Sequence, residues 1–167
     1  TGGAVTQTAA GVAGDNIDVT GTTDITSVGF AVTLDEATND FGGAVTAAGT
    51  NISLTDIGAI ELGDIDDAGD LVVVASAGAI TQTAAAGPTN NIDVTGTSSF
   101  TATGNAVTLN SSDNNFTGAV SAAGTNISLR DTNAIVLDDI DDAGDFTLIT
   151  GGAVTQTAAG VAGDNID

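Results

Sequence analysis

TGGAVTQTAAGVAGDNID, residues Thr1 to Asp18, recurs letter for letter as Thr150 to Asp167, the last eighteen residues of the 167-residue chain. A single compact domain has no use for such a copy. The offset of 149 residues (150 − 1) makes the chain one full period of a tandem array plus the opening of the next, so a segment of a longer protein is expected.

A shorter period lies inside. Gly3-Ala4-Val5-Thr6-Gln7 returns as Gly78-Ala79-Ile80-Thr81-Gln82 and as Gly152-Ala153-Val154-Thr155-Gln156, at offsets of 75 (78 − 3) and 74 (152 − 78). Asn16 to Thr22 matches Asn91 to Thr97, Ala47 to Leu54 matches Ala122 to Leu129, and Asp64 to Asp70 matches Asp139 to Asp145. The expected organisation is one continuous segment, 1–167. It consists of a first half-repeat at 1–75, a second at 76–149, and the start of the next repeat at 150–167.

Composition narrows the chemistry. There is no Cys, Met, Trp, Tyr, His or Lys; Arg130 is the single base against 22 acidic residues, for a net charge of −21. No disulfide framework or thiolate metal site can form. A phosphate backbone would be repelled, so nucleic acid is excluded as a partner, and an anionic membrane surface is disfavoured. With 41% hydrophobic residues the chain is too apolar for a disordered polyelectrolyte. No apolar run approaches twenty residues, so direct membrane insertion by this segment is not expected.

The apolar residues avoid helical spacing and come as doublets one residue apart, whose members share one side of a strand. The doublets are Ile17/Val19, Val32/Leu34, Ile52/Leu54, Leu71/Val73, Ile92/Val94, Val107/Leu109, Ile127/Leu129 and Phe146/Leu148, and Ile166 opens a ninth. A second ladder runs through Val5, Ile25, Phe41, Ile60, Ile80, Phe100, Phe116, Ile135 and Val154. A weaker third passes through Val12, Val28, Val45, Ile65, Ala86, Thr103, Val120, Ile140 and Val161. Three apolar positions returning at each step describe an all-β parallel β-helix (β-solenoid). About eight coils of roughly 18–19 residues per 149-residue unit are expected, giving a length of about 38 Å at ~4.8 Å per coil. Steps of 15 to 21 residues depart from a strict hexapeptide and favour the right-handed form. A two-sheet sandwich would need hairpin signals and leaves a coil-length repeat unexplained. Asn16, Asn51, Asn91 and Asn126 each precede a doublet, where they could turn a corner, and Pro88 is the one proline.

The phrases GAITQT, VTGTSSFTATGNAVTL, NNFTGAVS, NISLRDTNAIVL and DDAGDFTLIT, starting at Gly78, Val94, Asn114, Asn126 and Asp142, resemble the repeat regions of giant bacterial surface proteins. These are the filamentous-haemagglutinin-like and autotransporter-like β-helix repeat proteins. The resemblance covers essentially the whole chain. It implies secretion to the cell surface, a long rigid shaft, and roles in adhesion, biofilm matrix or surface filaments.

Catalysis would have to come from Asp, Glu, Ser and Thr alone, and no catalytic, cofactor-binding or metal-ligating residue is assigned. The acidic runs Asp64 to Asp70 and Asp138 to Asp145 suit a hydrolase or hard-oxygen Ca²⁺ ligation in residue type only. An EF-hand counted from Asp64 would need ligands at Ala68 and Ala75, which cannot supply them from side chains. Solvated acidic turns account for both runs. The rows Thr6-Gln7-Thr8, Thr81-Gln82-Thr83 and Thr155-Gln156-Thr157 suggest ice binding but recur once per half-repeat, too sparsely for it. Sequons at Asn51, Asn110, Asn115 and Asn126 could accept glycan, as could chance ones in so Asn- and Thr-rich a chain.

The expected function is structural and non-enzymatic: a repeat segment of an extracellular bacterial fibre or adhesin shaft. Its partner would be itself, by end-to-end continuation or stacking, with lateral bundling through divalent cations. The alternative is an adhesin module that binds a cell-surface or glycan ligand, with Ca²⁺ dependence at the acidic turns as its only cofactor.

Overall fold

In the computed structural model, residues 2–8, 15–83, 90–157 and 166 are described. They form nineteen strands and no helix. The first turn of chain holds β1 (Val5–Thr6), β2 (Asp18–Val19) and β3 (Thr23–Thr26). The second repeats this order with β4 (Val32–Leu34), β5 (Asp40–Phe41) and β6 (Val45–Gly49). In the third, β7 (Ile52–Asp56) is followed by one eight-residue strand, β8 (Ile60–Asp67). The fourth has β9 (Leu71–Ala75), β10 (Ile80–Gln82) and β11 (Ile92–Val94). The fifth has β12 (Ser98–Thr101), β13 (Val107–Leu109) and β14 (Asn115–Phe116). The sixth has β15 (Ala119–Gly124) and β16 (Ile127–Asp131), and the seventh β17 (Ile135–Asp142) and β18 (Thr147–Thr150). Then β19 (Val154–Gln156), the copy of β1, opens the next.

Every described strand pairing is parallel, which is how successive coils of one chain must pair. The eight-stranded sheet runs β1-β4-β7-β9-β12-β15-β17-β19. The nine-stranded sheet begins β3-β6-β8 and continues from β8 to β10-β13-β16-β18 and to β11-β14, while β2 and β5 form a separate pair. The branch arises because β8 carries β10 on Ile60–Leu62 and β11 on Ile65–Asp67. An extra residue enters β8 where the pairing passes from Val45↔Leu62 to Ala47↔Ile65, and β17 shows the same bulge between Val120↔Leu137 and Ala122↔Ile140.

The inward side chains of both sheets join in one apolar cluster, dominated by Ile, Val and Leu. Phe41, Phe100 and Phe116 are its bulkiest members, and Phe100 and Phe116 meet edge to face at 6.0 Å. Alternation along each strand is what the doublets encode: in β4, β7, β9, β11, β13 and β16 both doublet residues are buried.

The all-β parallel solenoid expected from the sequence is the observed fold, but the coils are fewer and longer. From β1 to β19 the eight-stranded sheet takes seven steps, so the 149-residue period makes about seven turns of ~21 residues and is ~34 Å long at ~4.8 Å per turn, in place of eight turns and 38 Å. The discrepancy has a topological cause. Doublets recur on both sheets, and their spacing does not say on which. Val32→Ile52→Leu71, Val107→Ile127 and Ile60→Ile80 are true stacking steps. Ile17→Val32 and Leu71→Ile92 are not: Val32 stacks on Val5, Leu71 on Ser98, and Ile92 on Ile65. The third ladder fails in part, since Val28 is 72% exposed and Thr103 is exposed, whereas Val45, Ile65, Val120 and Ile140 are fully buried. Val12, Ala86, Val161 and Pro88 lie outside the described residues.

Seven turns over two half-repeats means three and a half turns each. A half-repeat therefore delivers its copy to the opposite sheet. β1, β4, β7 and β9 belong to the eight-stranded sheet, while their copies β10, β13, β16 and β18 belong to the nine-stranded one. Conversely β3, β6 and β8 recur as β12, β15 and β17 in the eight-stranded sheet. Only the full period returns β19 to the sheet of β1. The column headed by Val5 ends at Gln156, two residues beyond the copy Val154, and a two-residue stagger preserves which side chains face inward.

Coils this close leave no room at some corners. A Cβ on Gly118 would lie 2.1 Å from the carbonyl oxygen of Gly96, a backbone atom that cannot step aside. At Gly58 the nearest atom would be a side-chain oxygen of Asp56 at 3.4 Å. Gly118→Ala should therefore cost about 2 kcal/mol or more in denaturant unfolding, and Gly58→Ala under about 1. Equal losses would show that the corner spacing is wrong.

Candidate functional site

The chemistry-bearing residues gather at the corners between strands, and their geometry follows one rule. Asp56 accepts from the backbone N–H of Gly58, two residues on (2.6 Å), and from that of Phe41, fifteen back (2.7 Å). Asp67 does the same with Gly69 (2.9 Å) and Ile52 (2.9 Å), and adds Asn51 N–H at 2.9 Å. In the second half Asp131 takes Asn133 (2.5 Å) and Phe116 (2.9 Å), and Asp142 takes Gly144 (2.9 Å), Ile127 (3.1 Å) and Asn126 (2.9 Å). Each carboxylate closes its own turn with one N–H and holds the preceding coil with another. Strand ladders cannot satisfy those amides, because at a corner the backbone turns out of the sheet.

The same corners explain two of the four asparagines. Asn51 and Asn126 adopt left-handed φ values of 57° and 60°. Their side-chain oxygens accept from the N–H of Asp70 (3.1 Å) and Asp145 (3.2 Å) in the following coil. Gly69 is required beneath: a Cβ there would sit 2.5 Å from the Asn51 side-chain oxygen. Asn-to-Asp-x-Gly-Asp across one coil is thus a stacking device, whose parts stand in the sequence and whose connection only the fold makes. Asn16 and Asn91 lack the left-handed turn.

A second device uses amides. Gln7 Nε2 donates to Asn39 Oδ1 (2.7 Å), and Asn39 Nδ2 returns a bond to Gln7 Oε1 (2.9 Å). Asn39, fully buried, also accepts from Ile17 N–H and donates to the Leu34 carbonyl. Gln82 and Asn114 repeat the pair at 2.7 and 3.0 Å, with Ile92 and Leu109 in the same roles. The Thr-Gln-Thr rows therefore owe their glutamines, at 7 and 82, to an internal clamp. Both Gln–Asn pairs are 32 residues apart, a separation that carries no local signal in the sequence.

The acidic runs are accordingly divided. Ile65 and Ile140 enter the core, Asp67 is buried on backbone amides, and Asp66, Asp70, Asp141 and Asp145 are exposed. Asp138 accepts from the hydroxyls of Ser121 (3.0 Å) and Thr157 (2.6 Å). Among the described residues no three acidic side chains converge as a metal site would require. Of the sequon asparagines, Asn51 and Asn126 are committed to their corners, Asn110 accepts from Ser128, and Asn115 bonds Asp93 and Asn133.

The 75-residue interval between these corner devices is also the length of one family repeat. A model of repeats of unknown function (DUF5649) matches residues 1–48, 49–123 and 124–165. The chain belongs to this family. The central DUF5649 repeat spans 75 residues, the length of the half-repeat, and the frame starts at Gly49 and Gly124, immediately before the Asn51 and Asn126 corners. No curated protein and no solved structure matches the chain significantly.

Asp67→Asn puts an amide NH₂ where two carboxylate oxygens now take three N–H groups. A loss of about 1–3 kcal/mol is expected in chemical denaturation, since a buried donor is left unsatisfied. Asp66→Asn, on an exposed side chain of the same run, should leave the midpoint unchanged. If the two variants unfold alike, the corner carboxylates are not structural.

Proposed function

We propose that these DUF5649 repeats form a structural segment of a long β-solenoid shaft, carried outside a bacterial cell, in the manner of the filamentous-haemagglutinin-like and autotransporter-like proteins the sequence resembles. The observation that carries this reading is the junction between periods. β19, the copy of β1, lies on β17 in the same sheet as β1, with Ile135↔Val154 and Leu137↔Gln156 in parallel register. One period ends in a surface that accepts the start of the next. Ile80, the copy of Val154 one half-repeat earlier, is fully buried, paired with Ile60 on one side and Val107 on the other.

In this reading the segment performs no catalysis; its work is mechanical. Parallel ladders and corner carboxylates add a similar increment with each coil, so a longer array is stiffer and harder to unravel than a short one. The shaft's partner is its own continuation. A net charge of −21 over one such length opposes side-by-side association at low ionic strength, and divalent cations or salt relieve it.

Electron cryo-microscopy of the native full-length material tests the proposal. A rod with a layer line near ~4.8 Å and an axial period near ~34 Å is expected. Compact particles with covered ends would defeat it. Bundling measured by light scattering should rise with millimolar Ca²⁺ and vanish with EDTA in low salt; bundling indifferent to both would remove the electrostatic part.

A further inference from the structure

The halves differ most tellingly around Arg130. A cavity of about 290 Å³ opens on the nine-stranded sheet, lined by Gln82, Thr83, Thr108, Asn110, Ser111 and Arg130. Its lining holds amides, hydroxyls and one guanidinium, with no carboxylate and no aromatic ring. Arg130 makes no ion pair among the described residues. The neighbouring Asp131 is buried and spends its oxygens on Phe116 and Asn133 N–H.

The first half-repeat supplies the contrast. At the positions of Asn110, Ser111 and Arg130 it has Asp35, Glu36 and Thr55. Formal charge at these three positions goes from −2 to +1 between copies that otherwise share the same corner and clamp. The fold requires neither version, because both halves build the same strands. Asp113, where the first half has Thr38, is exposed and bonded to Ser112 at the rim.

We infer that the Arg130 cavity binds a small hydroxylated carboxylate, of the class of a free uronic acid. Arg130 supplies the charged donors to the carboxylate, and Thr108, Asn110 and Ser111 meet the hydroxyls. The volume, at the lower edge of small-molecule sites, suits one sugar ring. A lining of amides, hydroxyls and a guanidinium, with no large apolar side chain, disfavours a hydrophobic anion. A side-chain carboxylate of a second copy is the competing occupant, but that copy would bring its net −21, against a single charge on a sugar acid.

The test is an amide NMR titration of the 167-residue chain with glucuronate, glucose and acetate. Glucuronate should shift Thr83, Thr108, Asn110–Ser112 and Arg130 and leave Thr8, Thr33 and Asp35–Ala37 in place. It should bind about tenfold more tightly than glucose or acetate. Arg130→Thr, the residue the first half uses, should weaken glucuronate about tenfold or more, and Asn110→Asp/Ser111→Glu should do likewise with Arg130 intact. Each variant borrows residues that already fold in the other half, and circular dichroism checks that they do. Binding of acetate as tight as glucuronate, equal shifts in both halves, or unaltered binding by Arg130→Thr would overturn the assignment. Arg130-dependent dimers in sedimentation without a glucuronate response would give the site to a second copy and overturn it also. None of these outcomes bears on the rod expected in microscopy.

Discussion

A hydrogen bond from a corner amide of one coil to an aspartate of the next is the interaction on which this solenoid depends. Strand ladders look after themselves: parallel coils at one spacing pair every N–H with a carbonyl above or below. Corners do not, because the chain leaves the sheet there and its amides point away from the neighbouring backbone. Asp56, Asp67, Asp131 and Asp142 each reach an N–H two residues ahead and another fifteen behind. A bond of this kind to a charged acceptor contributes about 1.5–3 kcal/mol, more than a neutral one. The acidic composition is thus partly architectural.

A half-repeat of three and a half turns imposes a second constraint. Each sequence position must serve in both sheets, since β1 and β10, or β3 and β12, occupy opposite ones. The inward set is therefore interchangeable Ile, Val, Leu and Phe of similar reach, as Ile25 and Phe100 or Leu71 and Phe146 show. Phe41 and Phe116 are copies that both enter the core, and in the second half Phe100 joins Phe116 edge to face. A core tailored to one sheet would not survive delivery to the other.

Much of this was legible in the sequence. Doublets at Val32/Leu34, Ile52/Leu54 and Val107/Leu109 mark buried strand residues, because period-two alternation depends on local geometry alone. The number of turns was not legible, because Ile17 and Val32 look alike as apolar residues though they stack in different columns. Asn51 and Asn126 could be picked out as corner residues from their place before a doublet. Their partners Asp70 and Asp145 could not, since the link spans a coil whose length was still unknown. The Gln7–Asn39 and Gln82–Asn114 clamps were hidden for the same reason: a 32-residue separation has meaning only once the path of the coil between is fixed.

Arg130 shows where such a chain is free to acquire something beyond architecture. On β16 its neighbours Leu129 and Asp131 point inward, one into the core and one onto corner amides, so a change at either costs stability. Arg130 faces outward, so its identity costs the fold nothing. Asn110 and Ser111 sit in a turn whose first-half copy tolerates Asp35 and Glu36. Duplication supplies two such surfaces on opposite sheets, three and a half turns apart, and one of them can lose its negative charge while the other keeps the shaft acidic. The residues that differ between the halves at constant fold are therefore the ones in which a function beyond stacking has room to reside.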